Sequence, residues 1–134
     1  MKSFATEYAV MAYEVVTIMV IVLFVGVFGS KYYEKISVCN TKVFYWQVTL
    51  LGATIMLSHW FYLVGNFPAL VFAQTAFHLM TLSLLFYLSK KFERALPKMR
   101  YERQKKIALW CEIAAWAFEI SAILATFTWL CLYM

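Results

Sequence analysis

Residues 43–88 read VFYWQVTLLGATIMLSHWFYLV, then GNFP, then ALVFAQTAFHLMTLSLLFYL. Neither apolar run contains a Lys, Arg, Asp or Glu. Each is long enough for a helix rising about 1.5 Å per residue to cross a hydrocarbon core about 30 Å thick. The four residues Gly65 to Pro68 leave room only for a tight reversal, which makes the two spans adjacent antiparallel helices. Asn66 has turn chemistry, and Pro68 suits the first turn of a helix.

The rest of the chain repeats this character. Of 134 residues, 64% are hydrophobic, 19% aromatic and only 14% charged, with a mean hydropathy of +0.72. A soluble domain of this size leaves too much surface exposed to hide such a composition. Disulfide scaffolds, disordered tails and nucleic-acid-binding domains are excluded on the same grounds, despite a net charge of +5. Two further apolar stretches, Tyr8–Phe28 and Ile107–Leu132, join 43–64 and 69–88 as spans. None keeps the two-residue alternation of a membrane barrel strand, and in lipid a lone segment satisfies its own backbone only as a helix. The expected fold is therefore all-α: one membrane domain over residues 1–134, built as a four-helix bundle. The first apolar run is too long for a cleavable signal peptide, and no small-residue cleavage site follows it.

Charge sets the expected direction. Eleven of the twelve basic residues fall in two loops: Lys31, Lys35 and Lys42 after span one, and Lys90, Lys91, Arg94, Lys98, Arg100, Arg103, Lys105 and Lys106 after span three. By the positive-inside bias both loops are cytoplasmic and both termini face the other side. The same asymmetry argues against a dual-topology dimer. Aromatic residues fall into two interfacial belts: Tyr32, Tyr33, Tyr45, Trp46, Tyr87 and Trp110 at the basic end, and Tyr8, Tyr13, Trp60, Tyr62, Trp129 and Tyr133 at the other. The segment from Lys90 to Lys106 reads as a basic helical hairpin bent at Pro97, whose charge reports orientation and attraction to anionic lipid. An acidic docking partner is a further option for this surface. No aromatic interleaving points to nucleic acid. Cys39, Cys111 and Cys131 lie too far apart along this topology to bridge, so three free thiols are expected.

An ionisable residue inside a span costs a few kcal/mol or more and needs a partner or a task. Five polar residues stand out: Glu14, His59, Gln74, His78 and Glu119, with Glu112 nearer the headgroups. Glu14, His59 and Gln74 lie at similar depth, with His78 and Glu119 near the middle, so all five can meet in one bundle. Gln74, His78 and Thr81 share a helical stripe, as do Glu14 and Thr17. In span four, Glu112, Ala115, Glu119, Ala122 and Thr126 follow the 3-4 spacing of a packed seam. A second stripe of small residues, Ala114, Ala117, Ser121, Ala125 and Thr128, lies on the next face, and Ile113, Trp116, Ile120, Ile123 and Phe127 take the remaining arc toward lipid. Small residues let helices approach closely in lipid, so span four is expected to be the central packing helix.

Three readings of the polar cluster remain open. It serves as hydrogen-bonded glue within the bundle or to a partner helix. It forms a proton or cation pathway, which in so thin a protomer requires a homo-oligomer. Or it holds a metal or haem, with His59 and His78 as weak candidate ligands, although the Glu-x-x-His pattern of bundle di-iron sites is missing. No cofactor is expected, and no catalytic motif is present.

The stretch His59-Trp60-Phe61, four residues, Asn66, one residue, Pro68 resembles the end of the second span in the cornichon family, and Cys39-Asn40 in the first loop is similar too. The likeness covers about ten residues. The acidic segment that the family carries after span one is here Lys31-Tyr32-Tyr33-Glu34-Lys35. The resemblance implies a four-span protein with lumenal termini that binds the spans of client proteins as a cargo receptor or auxiliary subunit. The expected function is thus non-enzymatic: intramembrane helix binding, as a subunit, assembly factor or cargo adaptor. A small channel or ion-coupled transporter is the competing reading. The expected surroundings are the lipid bilayer and other membrane helices or further copies of this chain, in a bacterial cytoplasmic membrane or a eukaryotic endomembrane.

Overall fold

The computed structural model describes the backbone of residues 2–36, 41–95 and 102–133, with side chains for 7–25, 44–94 and 102–132 apart from 104. The described residues form four helices: α1 (Lys2–Ile36), α2 (Thr41–Val64), α3 (Phe67–Ala95) and α4 (Glu102–Tyr133). Each contains a segment long and apolar enough to cross a membrane: Glu7–Val25, Phe44–Val64, Phe67–Arg94 and Lys105–Leu132. The helices enclose the four expected spans and run beyond them. Pro97 and its expected bend lie outside the described residues, as do Lys98 and Arg100.

The α2–α3 reversal is built by hydrogen bonds. Gly65 sits at φ +81°, a left-handed conformation that costs a residue with a Cβ but not glycine. Its N–H donates to the Tyr62 carbonyl at 3.2 Å and the Asn66 N–H donates to the Phe61 carbonyl at 3.0 Å. These are the paired bonds of a Schellman C-cap. Asn66 then caps α3, its Oδ1 accepting from the Ala69 N–H at 3.3 Å.

α1 packs most extensively against α4, and α2 against α3, with α3 also touching α4 and α1. On α1 the buried residues are Glu7, Val10, Glu14, Thr17, Ile21 and Phe24; on α4 they are Ala108, Ala115, Glu119, Ala122, Thr126 and Trp129. Both series step by three and four with one heptad jump past half-buried Glu112, the pattern of helices that interlock along a shared seam. α3 buries the larger share of its most apolar stretch, 44% against 22% for α4, and α3 touches all three other helices, while α4 makes the most extensive single interface, with α1. Trp116, expected toward lipid, is half-buried and its Nε1–H donates to Ser89 Oγ on α3 at 2.9 Å.

Two apolar clusters result. One, toward the basic end, joins Ile21 and Phe24 of α1 to Leu51, Ile55, Phe77, Leu84, Leu85, Leu88, Phe92, Ala108 and Ala115. The other, toward the α2–α3 turn, joins Val10, Tyr62, Leu70 and Trp129. Tyr62 and Trp129 are thus core residues, their rings 5.6 Å apart, rather than lipid-facing members of an aromatic belt. Tyr8, Tyr45, Trp46, Trp60 and Trp110 are exposed.

Candidate functional site: a polar layer inside the bundle

Between the two apolar clusters lies a layer of polar side chains contributed by α1, α3 and α4. His78 of α3 is its centre. Its Nδ1 lies 2.9 Å from Glu119 Oε1 and its Nε2 lies 2.9 Å from Thr126 Oγ1, both on α4. Glu14 of α1 approaches from the other side, with Oε1 3.9 Å from the same Nε2. The Gln74 amide lies beside the Glu14 carboxyl. One turn separates Gln74 from His78 along α3, so a single helix face presents both.

Glu14, Thr17, Thr81 and Glu119 are wholly buried, Gln74 is 2% exposed and His78 9%. The threonine hydroxyls of Thr17 and Thr81 donate to the carbonyls of Tyr13 and Phe77 in their own helices, so they need nothing from the layer. The carboxyls are less well provided. Neither oxygen of Glu14 has a hydrogen-bond partner, nor does Glu119 Oε2 or Gln74 Oε1. Buried polar atoms are nearly always paired, so such a concentration marks a place where protonation state matters.

Four of the five expected residues thus come together: Glu14, Gln74, His78 and Glu119. His59 does not. Its Nδ1 contacts Glu7 Oε1 at 2.5 Å, joining α2 to α1 nearer the α2–α3 turn. Glu7 escapes a hydropathy reading because the apolar run begins at Tyr8. The signal that finds it is the seven-residue step from Glu7 to Glu14, which puts both carboxyls on one seam. Thr126 belongs to the expected α4 stripe, and its bond to His78 gives it a place in the layer.

The two histidines engage different carboxyls, so they do not converge as a ligand pair. Among the described residues no group of three or more His, Cys, Asp or Glu side chains is placed to hold a metal ion. Cys111 and Cys131 are free thiols, and Cys39 lies outside the described residues. On the basic side, the Lys90 ammonium sits 4.7 Å from the Phe86 ring centre and that of Lys91 5.6 Å from Tyr87. Arg94, Arg103 and Lys106 are exposed and Lys105 is half-buried. Of the small residues on α4, Ala115 and Ala122 are fully buried in the seam with α1. Ala114, Ser121 and Ala125 are half-buried, while Ala117 and Thr128 are exposed.

The chain matches no family model, no curated protein and no solved structure.

Proposed function

We propose that this chain is a non-enzymatic polytopic membrane protein that works by binding the transmembrane helix of another protein, as a subunit, assembly factor or cargo adaptor. The observation that supports this reading is the small-residue face of α4. Ala114, Ala117, Ser121, Ala125 and Thr128 lie on the flank of α4 opposite Trp116, the residue that meets α3. Ala117 and Thr128 stand exposed on that flank, while Ala114, Ser121 and Ala125 are half-buried, Ala125 against the cluster of Val10, Tyr62, Leu70 and Trp129. Lipid tails are as apolar as leucine, so helices in a bilayer associate through close packing, which small residues permit. The partner is accordingly a single apolar helix with its own small-residue face. The likeness around His59 to Pro68 to the cornichon family is in keeping with a client-binding role. Positive-inside bias puts the basic end of the bundle in the cytoplasm and both termini across the membrane.

Site-directed cross-linking tests this. In a chain with its native cysteines replaced by serine, single cysteines at Ala117 and Ser121 should form adducts with one stoichiometric membrane protein in native membranes. A cysteine at Met56, exposed on α2, should not. Ala117→Leu and Ser121→Leu should abolish co-purification of that protein without unfolding the bundle. If adduct formation is equal at all three positions, or if both leucine variants keep the partner, the reading fails.

A second reading, a homo-oligomeric channel or proton-coupled transporter, is favoured by one observation: the wholly buried Glu14 carboxyl with no bonded partner. On that reading the α4 cross-links would join copies of this chain.

A further inference from the structure

We infer that Glu14, His78 and Glu119 form an exchangeable proton-binding centre, in which one imidazole passes protons between a carboxyl on α1 and a carboxyl on α4. The inference goes beyond helix binding and does not depend on it.

Charge balance is the first argument. With both carboxyls ionised and the imidazole neutral, the centre carries a charge of −2 inside an apolar bundle. Among the described residues, no Lys or Arg faces it from any helix. The other buried polar side chains of the bundle are Glu7 and Thr17 on α1, Ser58 on α2, Gln74 and Thr81 on α3, and Thr126 on α4, with half-buried His59 of α2 against Glu7. His59 is taken up by Glu7. Charged groups in hydrocarbon are costly enough that the centre holds protons instead. Each proton taken up removes one unit of that charge. With one held, the charge falls to −1 and two of the three basic sites (the two carboxylates and the second imidazole nitrogen) stay empty, which is the condition for a proton to move within the group.

The geometry supplies the route. Glu119 meets Nδ1, and Thr126 and Glu14 both lie on the Nε2 side. A carboxyl and a hydroxyl can each donate or accept, so neither imidazole tautomer is left with a mismatched neighbour. In the transfer, the Glu14 O–H gives its proton to Nε2 while the Nδ1 proton passes to the Glu119 carboxylate. One O–H and one N–H bond break, and one N–H and one O–H bond form. Glu14 ends ionised, Glu119 ends protonated, and the imidazole is again neutral in the opposite tautomer. The 3.9 Å between Glu14 and Nε2 must shorten by about 1 Å for the first step to run through a direct hydrogen bond. Neither Glu14 oxygen is in hydrogen-bond geometry with a partner, and the Gln74 amide is the group beside it.

Infrared difference spectroscopy of the full chain in phosphatidylcholine liposomes, between acidic and alkaline buffer, reads this directly. The wild type should show a protonated-carboxyl C=O band that shifts in D2O. Glu14→Gln and Glu119→Gln should each remove a component of it, with helix content unchanged by circular dichroism. A band that is identical in both variants, or that fails to shift in D2O, overturns the centre. Should either variant not fold, 15N NMR of the imidazole in His59→Gln, which leaves His78 as the one histidine, gives an independent test. Interconverting tautomers are expected, and one fixed tautomer at every pH overturns the proposal.

Discussion

His78 on α3 and Glu119 on α4 meet at 2.9 Å, with the Glu119 side chain fully enclosed by protein. The contact ties together two helices that otherwise touch only sparingly, because α4 leans chiefly on α1. It should therefore matter more to α3–α4 docking than its modest single-bond value implies. Interhelical hydrogen bonds in bilayers average about 0.6 kcal/mol, reaching about 1.7 kcal/mol. Glu119→Gln keeps an acceptor for the imidazole and should lose under about 1 kcal/mol. Glu119→Leu strands Nδ1 and should lose about 1–3 kcal/mol, the cost of a buried unpaired group. Reversible unfolding in mixed micelles distinguishes them, and equal losses would contradict the bonded role assigned to Glu119.

The α2–α3 turn makes a prediction about backbone alone. A Cβ added at Gly65 meets no atom within 4 Å, so any penalty of Gly65→Ala comes from the positive φ. About 1 kcal/mol is expected, with Gly65→Asn costing less because asparagine tolerates that conformation. Asn66→Ala removes the α3 cap and should also cost about 1 kcal/mol, whereas Asn66→Ser should restore most of it. Thermal or denaturant midpoints in micelles would show the order; a Gly65→Ala variant as stable as wild type would refute the strain argument.

Trp129 offers the reverse case. Its ring is 1% exposed and packs on Tyr62, yet its Nε1–H has no acceptor. Phenylalanine keeps much of the ring and removes the stranded donor, so Trp129→Phe should be within about 1 kcal/mol of wild type. Trp129→Ala leaves a cavity and should cost about 3–5 kcal/mol. A severe loss in the phenylalanine variant would mean that the indole N–H is bonded after all, and the same unfolding assay would reveal it.

Span number, the α2–α3 reversal and the α4 seam from Ala115 to Thr126 are all readable in the sequence, because length, turn chemistry and heptad spacing act locally. So is the grouping of Gln74 with His78. What is not readable follows from the solvent. Lipid and protein core are equally apolar, so hydropathy does not separate Phe77, which is buried, from Phe72, which is 76% exposed. The same blindness hides the breadth of the α3 face, the inward turn of Trp116 and the burial of Tyr62 and Trp129. Depth counting along each span groups His59 with Glu14, but depth carries no information about azimuth. The partner of His59, Glu7, stands one residue outside the apolar run.

Glu7 and Glu14 occupy equivalent positions one heptad apart on the α1 seam. A slide of α1 along α4 by seven residues, about 10 Å, would bring Glu7 to the place Glu14 now holds and put one carboxyl in the other's stead. The carboxyl spacing by itself thus allows two alignments, although the slide would also carry Glu14 to the place of Ile21 among apolar side chains. The contact between Glu7 and His59 removes the ambiguity, since α2 is fixed to α3 through the short turn and holds His59 at a single height. His59 is in this sense a detent, setting the register of a helix to which its own helix is only loosely packed.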